Sequence, residues 1–155
     1  MTGRALMMIV LFASTVFAQG KADEQALLDL HSKAREAHLK GDADMLAQTV
    51  ADEHVDVGRG KFNRVTREQL RERFTKVFAT RKYSKWDNVV RPVVHIAPDG
   101  KTGWMAVQLA ATLTVTEDGK KPETINFDMA WLANYEKQNG QWRMVAISYN
   151  VPSGK

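Results

Sequence analysis

The side chains of this sequence best suited to acid–base chemistry are its 4 histidines and the acids near them. His31 and His38 share one face of a predicted helix, but seven residues separate them by about 10 Å along its axis. That distance is too long for one shared metal ion without a third ligand between them, so we predict no metal site. His54 lies two residues before Asp56, so an extended strand would put both side chains on one face. The candidate acid–base pairs are therefore His54 with Asp56 and His31 with Asp56.

The stretch from His54 to Val57 leaves two orientations open. Either His54 and Asp56 face the interior, or Val55 and Val57 do, and hydrophobicity favours the valines. The chain contains no P-loop, dinucleotide fingerprint, Ser/His/Asp arrangement or metal motif, and no cofactor is expected. It has 0 cysteines, which excludes disulfides, thiolate metal sites and a cysteine nucleophile.

The N-terminal residues have the pattern of a secretory signal peptide. Arg4 precedes the apolar run Ala5–Phe17, and Val16 and Ala18 are small residues at positions −3 and −1 before Gln19. The run is shorter than the roughly 20 residues of a membrane-spanning helix, so a retained anchor is the less favoured interpretation. We predict removal of residues 1–18 and a periplasmic or secreted mature protein without a stable membrane anchor.

The remaining residues, 19–155, have the composition of one ordinary globular domain. The whole chain of 155 residues is 44% hydrophobic and 26% charged, with a formal net charge of +4. This charge is too mild to indicate a nucleic-acid partner. Glu68 and Glu72 interrupt the most basic stretch, residues 64–85, which favours a solvated helix face over an anion-binding patch.

The hydrophobic pattern predicts helices over 23–40, 43–51 and 66–80, the last opened by a Thr66–Gln69 capping box. A brief extended stretch lies between the second and third helices. Strands are predicted over 86–96, 104–116, 124–136 and 141–151, with a hairpin at Asn139–Gly140. Helices followed by a strand meander predict an α+β domain whose helices cover one face of an antiparallel sheet.

Several local strings resemble the nuclear transport factor 2-like superfamily, in particular its SnoaL-like and ketosteroid-isomerase-like branch. They are Gly41-Asp42 between two helices, the helix after a glycine turn, and the ending YEKQNGQWRMVAISYN, Tyr135–Asn150. The resemblance covers the whole of 19–155. It implies a cystatin-like α+β roll, in which a strongly curved antiparallel sheet wraps around the first helix and leaves a conical cavity. The superfamily hosts enzymes, binders and interaction domains, so the fold alone implies no single function.

The resemblance and the strand alternation together give the candidate ligand-binding residues. They are His31, His38, His54, Asp56, Tyr83, Phe127, Met129, Trp131, Val145, Ile147 and Tyr149. Ketosteroid-isomerase-like proteins use a helix Tyr and a strand Asp as an oxyanion hole, with a second Asp as base. Here Ala34, Trp131 and a position near Gly58 stand in those places, and Ala146 and Ser148 replace a His-x-His pair of SnoaL-like proteins. We therefore expect none of that chemistry.

These observations favour an exported cavity protein that binds a small, largely apolar or aromatic organic molecule. One alternative is an isomerase, dehydratase or hydrolase with His31 and Asp56 as acid and base. Another is an interaction module that acts through its outer sheet face. Small side chains along one predicted strand, at Ala106, Gln108, Ala110 and Thr112, indicate a flat outer face, and we expect a homodimer there. An interior cavity of roughly 300 Å³ or more would favour the first two functions over the third.

Overall fold

The computed structural model describes the backbone of residues 5–150 and the side chains of residues 19–150. The predicted signal peptide, residues 1–18, and Val151 at the end of the last predicted strand lie outside the described side chains. The described chain contains three helices and seven strands. In chain order they are α1 (Ala5–Lys40), α2 (Ala43–Ala47), β1 (Val50–Gly58), β2 (Lys61–Thr66), α3 (Arg67–Thr80), β3 (Arg81–Asn88), β4 (Val93–Ile96), β5 (Thr102–Val115), β6 (Glu123–Gln138) and β7 (Gln141–Asn150).

Local sequence signals set the helix ends. Gly41 ends α1 in the left-handed region (φ 68°), which glycine adopts without strain. The Asp42 carboxylate then caps α2 by accepting from the Met45 N–H at 2.8 Å. The helix α2 is shorter than predicted because Val50 and Ala51 belong to β1 instead. No helix in the described residues is both long and apolar enough to span a membrane.

The predicted capping box at the start of α3 is confirmed. The Thr66 hydroxyl accepts from the Gln69 N–H at 3.2 Å, and the Gln69 side chain accepts from the Thr66 N–H at 2.9 Å. The helix buries Leu70 and Phe78 on one face. These two residues are eight positions apart, so they fall on the same helical stripe.

The strands form one curved sheet in the order β2-β1-β7-β6-β5-β3, and β4 also pairs with β5. This confirms the predicted α+β class, but the sheet is mixed rather than wholly antiparallel because β1 and β7 pair in parallel. Parallel neighbours need a long connection between them. Here that connection is the whole chain from β2 to β6, so a local pattern could not reveal it.

Two further differences from the predicted strands have local causes. The predicted strand 86–96 is two strands, β3 and β4, separated by residues 89–92; Pro92 in this connection has no N–H to donate to a neighbouring strand. The strand β2 was not predicted. It forms a hairpin with β1 through Arg59 and Gly60, both at positive φ (52° and 73°). Asn139 and Gly140 make the same kind of turn between β6 and β7, as predicted.

The helices cover the sheet unevenly. The helix α1 packs on β3 and β4, and α3 packs mainly on β1 and β2 at the opposite edge. The main core lies under α1, where Leu27 is fully buried. Its buried members are Leu27, Trp86, Met105, Val107, Leu109, Ala111, Ala133, Tyr135 and Trp142.

One buried carboxylate ties α1 to the β6–β7 hairpin. Asp23 is only 4% exposed, and its Oδ1 accepts from Lys137 Nζ at 2.5 Å and from Trp142 Nε1 at 3.0 Å. Gln19 Nε2 donates to the other oxygen at 3.2 Å. Burial by itself would raise the pKa of Asp23, but the hydrogen bonds from Lys137, Trp142 and Gln19 lower it below its ordinary value. The charged form of Asp23 therefore stabilises the fold.

Replacing Asp23 by Asn should lower the free energy of unfolding at pH 7 by about 2 kcal/mol, because a neutral amide cannot make the same charge-assisted hydrogen bonds. The folded-state pKa lies below the unfolded value of about 3.9, so this stabilisation is complete above that pH and disappears as the pH falls through the folded pKa. Urea unfolding at pH 7 and at about pH 3 tests this. The difference between the wild type and Asp23→Asn should shrink in acid.

The matched control is Asp29→Asn on the same helix, because Asp29 is exposed and accepts a hydrogen bond from Gln25 one turn away. This variant should unfold within about 0.5 kcal/mol of the wild type. Equal losses in the two variants would contradict a special role for Asp23.

Candidate functional site

The centre of the inner sheet face is only partly covered. Met105 and Leu109 of β5 are fully buried on this face, whereas Phe127, Met129 and Trp131 of β6 are half-buried. The residues of β7 on the same face, Ile147 and Tyr149, are half-buried as well. Toward one end of β6, Ala133 and Tyr135 are buried, while Ile125 at the other end is exposed. The interior, which is the region between the inner sheet face and the helices, is therefore closed at one end of β6 and open at the other.

Tyr149 reaches the interior because Gly58 makes room for its ring. A Cβ atom at position 58 would lie 2.6 Å from Cζ of Tyr149. The ring of Tyr149 therefore fills the space beside Gly58.

Val145, predicted to line the interior, is half-buried at a β-bulge. Tyr135 pairs with Met144 and Asn134 pairs with Ala146, so Val145 has no partner on β6. The bulge shifts the alternation by one residue. Met144, which was not a predicted site residue, also packs against the core.

His31 is buried beside Trp131. Its Nε2–H donates to Asn88 Oδ1 at 2.9 Å, and its ring meets the Trp131 ring edge-on with centroids 5.8 Å apart. Burial lowers the pKa of His31 below its ordinary value, which favours the neutral imidazole. Asn88 was not a predicted site residue, and the sequence carries no signal for this pair because 57 positions separate the two residues.

His38 lies in a box of aromatic rings. It stacks on Trp86 with centroids 3.9 Å apart and an interplanar angle of 14°. Its Nδ1 is 2.8 Å from the Ala34 carbonyl oxygen, one turn earlier in α1. Three more rings meet it edge-on, those of Phe74, Phe78 and Tyr83. Burial lowers the pKa of His38 to about 4, so the imidazole is neutral at pH 7.

His54 and Asp56 face the interior, which answers the question of orientation left open by the sequence. His54 Nε2 lies 3.1 Å from Asp56 Oδ1, and both Arg73 guanidinium nitrogens donate to Asp56 Oδ2 at 3.0 Å. The atoms of His54 and Asp56 are close but not aligned as a hydrogen bond, and both ring nitrogens of His54 are buried without a partner among the described residues. Burial would raise the pKa of Asp56, but His54 and Arg73 together lower it.

The orientation of β1 follows from its partners. Asp56 is opposite Ile147 of β7, and neighbouring residues at one register position point to the same face. Val57 consequently points outward and is 39% exposed, against the hydrophobic preference. The ion pair with Arg73 offsets part of the cost of burying Asp56. The sequence offered one indication that Arg73 lies near the sheet. Arg73 follows Leu70 by three residues, and residues at this spacing are neighbours on the surface of a helix.

The structure does not bring His31 and Asp56 together as a pair. The partner of His31 is Asn88, and those of Asp56 are His54 and Arg73.

In the part of the chain with described side chains, no group of three or more His, Cys, Asp or Glu residues could hold a metal ion. Outside this interior, His95 stacks on Trp104 with centroids 5.4 Å apart on the outer sheet face.

The outer sheet face carries a shallow groove of about 460 Å³. Val90 and Val93, on the connection before β4 and on β4, form one wall, and β5, β6 and β7 form its floor. Leu132 lies on that floor and is 45% exposed. The groove lies on the face of the sheet opposite His31, His38 and Asp56, so it is a separate surface from the interior.

Several solved structures similar to this chain are described as nuclear transport factor 2-like or ketosteroid isomerase-like. A nuclear transport factor 2-like superfamily protein from Salmonella enterica serovar Typhimurium superposes with a TM-score of 0.68 and 15% identity, over 87% of this chain and 94% of that chain. A ketosteroid isomerase-like protein from Erwinia carotovora superposes with a TM-score of 0.64 and 14% identity, over 85% and 98% of the two chains. A Nostoc punctiforme protein with a cystatin-like fold gives 0.59 and 17%, over 83% and 91%.

No protein-family model and no curated protein matches the sequence. The structural likeness, at identities of 14 to 17%, shows the fold. The chain therefore has the nuclear transport factor 2-like, cystatin-like fold, with N-terminal helices packed on a curved mixed sheet. The resemblance read from the sequence is confirmed at this level.

Proposed function

We propose that this protein is an exported, SnoaL-like binding protein for a small, largely apolar or aromatic organic molecule. The observation that carries the proposal is the half-buried inner face of β6 and β7, where Phe127, Met129, Trp131 and Tyr149 lie beside a closed core. Apolar and aromatic walls with a few fixed polar groups are typical of small-molecule sites. The ligand would lie against Trp131 in the open part of the interior.

The charges of the interior support an uncharged ligand. His31 and His38 are buried in surroundings that favour their neutral forms. The one buried carboxylate on β1, Asp56, is paired with Arg73. A charged ligand would have to leave water without finding an unpaired counter-charge among these groups, which is costly.

Binding is better supported than acid–base catalysis. His54 is fully buried, so its imidazole cannot touch a substrate in this conformation. His31 is hydrogen-bonded to Asn88 and not to a carboxylate that could orient it. Ala34 offers no donor at the position of the isomerase Tyr, and Trp131 offers only an indole N–H.

Replacing Trp131 by Ala should weaken ligand binding at least about tenfold, because the stacking surface at the open end of the interior is lost. Isothermal titration calorimetry against a panel of neutral aromatic compounds, steroids and fatty acids measures this. At least one compound should bind the wild type. The control is Trp104→Ala, which removes a tryptophan from the outer face and should leave the affinity unchanged. Absence of binding across the panel, or equal affinity in Trp131→Ala, would overturn the proposal.

The proposal of export rests on the N-terminal sequence pattern described above. The exported protein should have the intact mass of a chain that begins at Gln19, measured by mass spectrometry of the compartment fraction. An Ala18→Arg variant should accumulate as the precursor, because the −1 position requires a small residue. A wild-type mature species that retains Met1, or one that stays bound to the membrane, would contradict cleavage.

We further propose that a second copy of the chain covers the outer sheet face. Val93, Trp104 and Leu132 expose apolar side chains there, and an exposed apolar sheet face can pair with itself about a two-fold axis. Burying these side chains against a second copy would remove apolar surface from water.

A Leu132→Arg variant should therefore be monomeric in analytical ultracentrifugation, whereas the wild type should be a dimer at micromolar concentration. Thr75→Arg adds the same charge on the exposed side of α3 and should remain dimeric. A wild type that is already monomeric, or a Leu132→Arg variant that stays dimeric, would rule out this interface.

A further inference from the structure

The tautomer of His38 is fixed by its backbone contact. A carbonyl oxygen can only accept, so the 2.8 Å contact between Nδ1 and the Ala34 oxygen places the ring proton on Nδ1. The other ring nitrogen, Nε2, then carries a lone pair and can only accept a hydrogen bond. His38 thus has one hydrogen-bond acceptor, Nε2, among the aromatic rings that surround it.

That acceptor has no partner in the described part of the chain. His38 is only 8% exposed, and Trp86 stacks on one face of its ring. The other rings around it, Phe74, Phe78 and Tyr83, approach edge-on, and none donates a hydrogen bond to it. Unlike the two nitrogens of His54, Nε2 of His38 is not among the fully buried atoms without a partner. An acceptor that has no partner in the protein is free to accept from a ligand donor.

The acceptor belongs to the same interior as the proposed ligand. Trp86, which stacks on His38, lies 6.4 Å from the Trp131 ring, centroid to centroid. The Arg73 guanidinium lies 5.4 Å from the centre of the Phe74 ring, and it is paired with Asp56. Burial also keeps the pKa of His38 near 4, so the ring does not become a cation at neutral pH.

We propose that His38 Nε2 accepts a hydrogen bond from a hydroxyl or N–H group of an uncharged aromatic ligand. This inference rests on the proposed interior binding site and names the class of molecule that it selects. Binding of neutral ligands with a hydrogen-bond donor is favoured. Ethers of the same shape leave the Nε2 acceptor unpaired, and carboxylates bring a negative charge against its lone pair. His38 is therefore a specificity-determining residue.

Three naphthalenes of nearly equal size test the selection: 2-naphthol, 2-methoxynaphthalene and 2-naphthoate. In calorimetry with the wild-type protein, 2-naphthol should bind about tenfold more tightly than its methyl ether, and 2-naphthoate should bind most weakly. His38→Phe keeps an aromatic ring in the box but removes the acceptor. In this variant the ratio of the naphthol and ether affinities should fall to about 1, while ether binding remains. His95→Phe, on the outer face, should keep the wild-type ratio.

A second measurement needs no variant. Nitrogen-15 NMR of the wild-type imidazoles should show the His38 proton on Nδ1, and 2-naphthol but not its ether should shift the Nε2 resonance. Equal wild-type affinities for naphthol and ether, or tightest binding of naphthoate, would overturn the role of His38 and leave interior binding intact. If none of the three compounds nor any of the wider panel bound, the proposed function itself would fail, and this inference with it.

Discussion

A single helix cannot cover a seven-stranded sheet. With its side chains a helix is about 10 Å wide, and strands lie about 4.8 Å apart, so one helix covers roughly two strands. Here α1 packs on β3 and β4 and α3 packs mainly on β1 and β2, which leaves part of the inner face of β6 and β7 less covered. The half-buried Trp131 and Tyr149 are the consequence of this mismatch in width. The open interior exists because the helices together do not cover the whole inner face of the sheet.

The interior keeps its shape because α1 is fixed at two separated points. In the middle of the helix, Asp23 accepts hydrogen bonds from Lys137 and Trp142 and holds the helix to the β6–β7 hairpin. Near its C-terminal end, His38 stacks on Trp86 and contacts rings of α3. A helix fixed at two separated points presents the side chains between them at constant positions. His31 lies in that middle stretch, beside the open face and Trp131.

The polar groups of this interior are balanced without a net charge. Asp56 is matched by Arg73, and the histidines of α1 lie where burial favours neutral rings. The two unpartnered nitrogens of His54 are an exception that costs stability, since a buried polar group without a hydrogen bond loses its hydration. A neutral, mostly aromatic interior with fixed acceptors discriminates ligands by shape and by hydrogen-bond donors. It contrasts with sites built on a free counter-charge, which select ions.

The sequence by itself determined the features that depend on neighbours along the chain. The Thr66–Gln69 capping box, the left-handed Gly41 and the Asn139–Gly140 turn each act within a few residues, so local patterns predict them, and with them the α+β class. Only the tertiary structure decided which way His54 and Asp56 point, because that depends on Arg73, 17 positions away, and on parallel pairing with β7. The bulge at Val145 and the contact between Asp23 and Trp142, 119 positions apart, were equally hidden. Burial of a polar side chain is decided by the partner that it meets in space, and the order of residues along the chain does not specify that partner.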